Sequence, residues 1–143
     1  MYRTPQRAYE ESHKATESSQ DLEAAALFKA ARLLEAARHG SGMPNGVRQL
    51  QEALRHNLRL WTLFQAELAR PDHGLPVDLR ADLLRLSTFI DRRTFELMAH
   101  PAPDKVQALI DINRHIARGL TKTGDLTGAV QQTAQDPDTH GRD

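Results

Sequence analysis

Apolar residues recur along this chain at steps of three and four, and no segment alternates in the manner of a strand. In "NGVRQLQEALRHNLRLWTLFQAELA", residues 45–69, helical spacing places Val47, Leu50, Leu54, Asn57, Trp61, Phe64 and Leu68 one above another. A second row, Ala53, Leu60 and Leu63, falls about a hundred degrees away. Such a helix is either packed on two sides or buries one row and offers the other to a partner.

The same periodicity predicts four further helices. A short one over 4–14 has Pro5 at its first position, where the missing N–H is harmless. A second, over about 20–38, begins after serines and ends in Arg38 and His39 before Gly40. Its expected stripe is Leu22, Ala26, Ala30, Leu33 and Leu34, widened by Ala25, Phe28 and Ala36. The loop "HGSGMPNG" leads into the helix quoted above, which spans about 44–69, and "RPDHGLP" ends it.

A fourth helix starts near Pro76 with Leu79, Leu83, Leu86, Ile90 and Leu97 inward, and stops at "HPAPD". The fifth, "PDKVQALIDINRHIARGL", carries Val106, Leu109, Ile110, Asn113, Ile116 and Leu120 along one side and ends at Gly119. Residues 123–143 contain too few apolar side chains to offset the entropy of ordering, so they read as a disordered tail. The expected fold is all-α: one compact bundle of about five helices over 1–122.

Composition narrows the function classes. The chain has 143 residues, the size of one domain, and its 19 basic residues balance 19 acidic ones. That balance leaves no global field to draw it onto nucleic acid or an anionic membrane. There is no cysteine, which excludes disulfides, thiolate metal sites and a cysteine nucleophile. The N-terminal stretch lacks the apolar core of a signal peptide, and no apolar run reaches the ~18 residues of a membrane span. The expectation is a soluble cytoplasmic protein without membrane insertion.

Candidate chemistry is sparse. The histidines at 13, 39, 56, 73, 100, 115 and 140 include no pair four apart on a helix, and phosphate-binding loops and nucleophile elbows are missing. Neither an enzyme nor a metal or cofactor site is expected. Asn57, on an apolar stripe, reads as a buried polar anchor, since an unpaired amide there would be costly. Asp91 beside Arg92 and Arg93, and Asp111 with Asn113 and Arg114, read as caps, ion pairs and bundle-specifying hydrogen bonds. Arg48, Arg55 and Arg59 edge the third helix, and Arg114, Arg118 and Lys122 the fifth. Glu52, Glu67 and Asp111 dilute any basic strip they make.

Three strings, in order, carry a resemblance: "YEESHKATESSQDLEAAAL", "ALRHNLRLWTLFQAELARPDHGLPVDLRADLLRLSTFIDRRTFEL" and "LIDINRHIARGL". Over residues 9–120 they resemble the FlaF family, flagellar biosynthesis regulators of alphaproteobacteria. The family's signature polar positions fall on Asn57, Asp91, Arg92, Asp111, Asn113 and Arg114. The chain departs from the family pattern at Ser18 and Ser19, where Ser-Pro and then a basic residue would be expected.

The resemblance implies a cytoplasmic helical protein needed to make and export flagellin, acting as a flagellin-binding secretion chaperone and working against FlbT, a repressor on flagellin messenger RNA. A flagellin chaperone would hold an amphipathic terminal helix that has no packing partner before the filament assembles. Leu60, Trp61, Leu63 and Phe64, with Phe95 on the next helix, are the candidate partner-binding residues. The alternatives are a post-transcriptional regulator touching the messenger through Arg48, Arg55 and Arg59, and an adaptor bridging FlbT and flagellin. The absence of an evident aromatic stacking platform argues against direct RNA contact. Oligomeric state is not legible.

Overall fold

The structure is a computed structural model that describes residues 5–70, 72, 74–121, 130 and 133. Among these residues the chain forms four helices and no strand: α1 Pro5–His39, α2 Gly46–Leu68, α3 Val77–Ala99 and α4 Pro103–Thr121. The all-α expectation holds with four helices instead of about five, because the two helices expected over 4–14 and 20–38 are one. The intervening "ATESSQ" has neither glycine nor proline. Each serine costs less than about 0.7 kcal/mol inside a helix, whereas starting a new helix requires an unfavourable nucleus. Ser18 and Ser19, each with a backbone N–H to donate, let the ladder continue.

The corner after α1 is tight. Gly40 N–H donates to Ala36 O at 3.0 Å, Met43 N–H to Gly40 O at 3.0 Å and Gly46 N–H to Met43 O at 2.9 Å. Gly46 opens α2 with the loop backbone pressed against it: a Cβ there would lie 2.5 Å from Gly40 O and 2.8 Å from Ser41 O. α4 begins with Pro103 and Asp104, a favourable first turn, and runs through Gly119 to Thr121 instead of stopping at that glycine. Gly119 is buried, so it serves close packing within the helix.

α1 packs chiefly on α4, and α2 is flanked by α1 and α3. Small residues let α1 and α4 approach: Ala24, Ala30, Ala31 and Ala37 on one, and Ala108, Ala117 and Gly119 on the other, are all buried. Between the helices lie Leu27, Leu34, Leu54, Trp61, Leu86, Ile90, Leu97, Leu109, Ile110 and Ile112, each almost wholly removed from solvent. The stripe expected on α1 is partly out of phase. Ala30 and Leu34 are buried, but Leu22 is 70% and Leu33 38% exposed, and Ala24, Leu27, Ala31 and Ala37 face inward. Alanine occurs on several faces of this helix, so α4 decides which one is covered.

On α2 the first row is the inner one. Leu50, Leu54, Asn57, Trp61 and Leu68 are buried and Phe64 half-buried, with Val47 exposed at the helix start. The second row divides: Ala53 is buried, Leu60 half-buried and Leu63 exposed. The inner residues expected on α3 are all buried. The expectation of a disordered tail over 123–143 lies outside the described residues except at Val130 and Thr133. At those two positions the chain is helical and buried, and Val130 belongs to the hydrophobic core.

Candidate functional site

A polar chain crosses the core between α2 and α4. The indole N–H of Trp61 can only donate, and it meets Asn113 Oδ1 at 2.9 Å. That fixes the Asn113 amide, whose Nδ2 donates to Asn57 Oδ1 at 2.7 Å. All three side chains are buried, while Asn57 Nδ2 has no partner among the described residues. Asn57 is the buried polar anchor expected, and it is held by a residue 56 positions away.

The remaining signature positions do not join this chain. Asp91, half-buried, accepts from Gln65 Nε2 at 3.0 Å through one oxygen, so it ties α3 to α2. Asp111 accepts from Gln107 one turn earlier on its own helix at 2.9 Å. Arg92 is exposed and Arg114 half-buried. Arg93, expected from the sequence to serve in ion pairs and bundle-specifying hydrogen bonds, pins the α3–α4 corner. Its guanidinium donates to Lys105 O at 2.9 Å, lies 4.9 Å from the centre of the Phe89 ring and 3.6 Å from Glu96.

The cavity of interest is a cleft of ≈ 590 Å³ to which all four helices contribute. α1 supplies Ser19, Gln20, Glu23 and Leu27, and α2 Trp61, Phe64, Glu67 and Leu68. Gly74 and Leu75 come from the connection, Leu83 from α3, and Ile116 and Leu120 from α4. The Trp61 and Phe64 rings meet edge to face, with centroids 5.6 Å apart at 88°. The apolar lining is thus aromatic and aliphatic, and the polar lining consists of Ser19, Gln20, Glu23 and Glu67.

Of the five candidate partner-binding residues, Trp61 and Phe64 line this cleft. Leu60 packs on the core, and Leu63 and Phe95, 66% and 60% exposed, stand outside the lining. Leu83, Ile116 and Leu120 were legible only as inner-stripe residues, and Leu27 and Leu75 not at all; none could be read as cleft lining helix by helix, because the site exists only where all four helices converge.

Several charges elsewhere pair locally. Arg48 lies 3.4 Å from Glu52, and Arg55 and Arg59 are exposed. At the end of α1 the Arg38 hydrogen bond to Glu35, with His39 adding to it, holds the Glu35 carboxyl below the usual range despite partial burial. Among the described residues no helix is long and apolar enough to cross a membrane, and no group of three or more His, Cys, Asp or Glu could hold a metal ion.

Set against known proteins, residues 5–120 match the family model described as "Flagellar protein FlaF". No curated protein and no solved structure matches the chain. The matched span takes in α1, α2, α3 and all but the last residue of α4, together with the Asn57–Asn113–Trp61 chain and every described residue of the cleft. By that match the chain belongs to the FlaF family of flagellar proteins.

Proposed function

We propose that this flagellar protein binds flagellin in the cytoplasm as a secretion chaperone, promoting its synthesis and export. The observation that carries this reading is the cleft: an apolar hollow walled by Trp61, Phe64, Leu75 and Ile116 inside a flagellar family domain. Its volume falls in the ~300–1,000 Å³ range of sites that enclose a ligand group. That is room for a few side chains of one helical turn and not for a whole helix.

A guest helix would therefore lie across the opening and insert one face, in the helix-in-groove manner. Contact through a few anchors suits a carrier. The area buried is modest, so the gross interaction barely exceeds the cost of association and the guest can be surrendered at export. The buried Asn57–Asn113–Trp61 bonds support this by holding the Trp61 wall in one orientation before any guest arrives.

Calorimetry with purified monomeric flagellin tests the reading. Micromolar binding is expected, lost when the terminal helices of flagellin are removed and changing little between low and moderate salt. Absence of binding by the folded protein would sink it. Binding of flagellin messenger RNA that collapses steeply with salt would favour the post-transcriptional alternative, and binding to FlbT alone the adaptor.

A further inference from the structure

Three helices of the bundle are bound to one another through the interior. The Trp61–Asn113 and Asn113–Asn57 bonds tie α2 to α4, and α4 is the main partner of α1. α3 is held differently. It packs chiefly on α2, and the side-chain bond described across that seam is Gln65 Nε2 to Asp91 Oδ2 at 3.0 Å. Ser87, Asp91 and Thr94 follow at steps of four and three, so Ser87 and Thr94 share the face that Asp91 turns to α2. Both are fully buried, and among the described residues Ser87 Oγ, Thr94 Oγ1 and Asp91 Oδ1 have no hydrogen-bond partner. A buried polar group without a partner is costly, and here three lie along one seam.

The two ends of α3 also differ. At the C-terminal end Arg93 donates to Lys105 O across the corner at 2.9 Å, and Ile90 and Leu97 are wholly buried. Toward the N-terminal end, Leu83 and the preceding Leu75 wall the cleft, and Leu79 and Leu83 are the least buried of the inner residues of α3.

Resting on the guest-binding reading, we infer that α3 is the movable wall of the cleft. Its N-terminal half swings away from α2 about the α3–α4 corner, carrying Leu79 and Leu83 outward, and the hollow widens for the guest. Opening exposes apolar area, but it also brings the unpaired groups of the seam to water, Ser87 first. That compensation sets the free energy of this local opening below that of global unfolding. The apolar face of the guest then covers Leu83 again and stabilises the open arrangement. α1, α2 and α4 meanwhile keep Trp61 in place.

Native-state hydrogen exchange on the full chain tests the wall without any guest. Amides over 79–87 are expected to exchange at least about tenfold faster than the best-protected amides of α1 and α4. Ser87→Ala combined with Thr94→Val removes both hydroxyls at nearly constant shape. It is expected to raise the urea midpoint and to slow exchange over 79–87 by about tenfold, of which helix propensity supplies only about two- to threefold. Thr88→Val, on the exposed face of the same helix, is the control and should change exchange by no more than about twofold. Association of monomeric flagellin, followed through Trp61, the only tryptophan of this chain, should slow at least about threefold in the double variant.

Exchange over 79–87 that matches α1 and α4, equal slowing by Thr88→Val, or flagellin association at an unchanged rate would overturn the inference. A double variant no more stable than wild type would overturn it too, because the hydroxyls would then be satisfied in the folded protein. If α3 opens as expected and flagellin does not bind, the movable wall stands and the flagellin reading falls. If flagellin binds while α3 exchanges only with the whole bundle, the wall is fixed and the chaperone reading stands.

Discussion

Trp61 Nε1 donates to Asn113 Oδ1 at 2.9 Å across the core, and this bond dictates which way Asn113 presents its amide to Asn57. Replacing Asn113 by Leu orphans two buried groups at once, the Trp61 N–H and the Asn57 carbonyl. At about 1–3 kcal/mol for each unsatisfied group, Asn113→Leu should destabilise the protein by about 2–6 kcal/mol. Urea unfolding measures this. A double-mutant cycle with Trp61→Phe should show coupling of about 0.5–3 kcal/mol; additivity would mean that the bond contributes nothing.

Gly46 stands where the α1–α2 loop folds back on the start of α2. Alanine normally improves a helix by about 1 kcal/mol, yet here its Cβ would meet two backbone oxygens at 2.5 and 2.8 Å. Gly46→Ala should cost about 1–3 kcal/mol through loop displacement. Gly42→Ala, with nothing within 4 Å of the added carbon, is the control and should change the unfolding midpoint little.

Val130 is wholly buried although it lies ten residues beyond the end of the family match. Val130→Ala should cost about 1–2.5 kcal/mol, and Val130→Asp more, because a carboxylate would be stranded in the core. Thermal unfolding checks both. Wild-type stability in Val130→Asp would show that this part of the chain does not pack on the bundle.

Leu63 and Phe95 are exposed and outside the cleft, so Leu63→Glu and Phe95→Glu should each shift stability by no more than about 0.5 kcal/mol. If the guest enters the cleft, both should also leave flagellin affinity unchanged, whereas Phe64→Ala removes a wall and should weaken it by at least about tenfold. Loss of flagellin binding in Leu63→Glu would move the interface to the outer row of α2.

Glu35 carries the pH prediction. Its carboxyl is depressed below its ordinary value of 4.5, first by the Arg38 hydrogen bond, against opposing desolvation and with help from His39. A group depressed in the folded state stabilises above its unfolded pKa and loses that contribution as pH falls through the folded one. Wild type should therefore exceed Glu35→Gln in stability at pH 6, and the difference should shrink steadily below about pH 4.5. Denaturant midpoints across that range decide it.

Several elements were legible one helix at a time. Leu79, Leu83, Leu86, Ile90 and Leu97 read correctly as the inner face of α3, because leucine and isoleucine fall on one side of it with charge opposite. Asn57 could be recognised as an anchor because an amide on an apolar stripe must find a partner. The polar positions of the FlaF resemblance were legible as a set but not as an arrangement: Asn57 and Asn113 meet, while Arg92 faces solvent.

By itself the sequence determined that this chain is helical, where its proline- and glycine-marked corners fall and to which family it belongs. These depend on local spacing, backbone propensity and recurring strings. Only the tertiary structure decided that α1 is continuous, that Leu22 faces outward while Leu27 faces inward, that Asn113 is the partner of both Asn57 and Trp61, and that the cleft draws on all four helices. The reason is physical. A helix with alanine on several faces has no intrinsic inside, and a cleft is what remains after four such surfaces have chosen their neighbours.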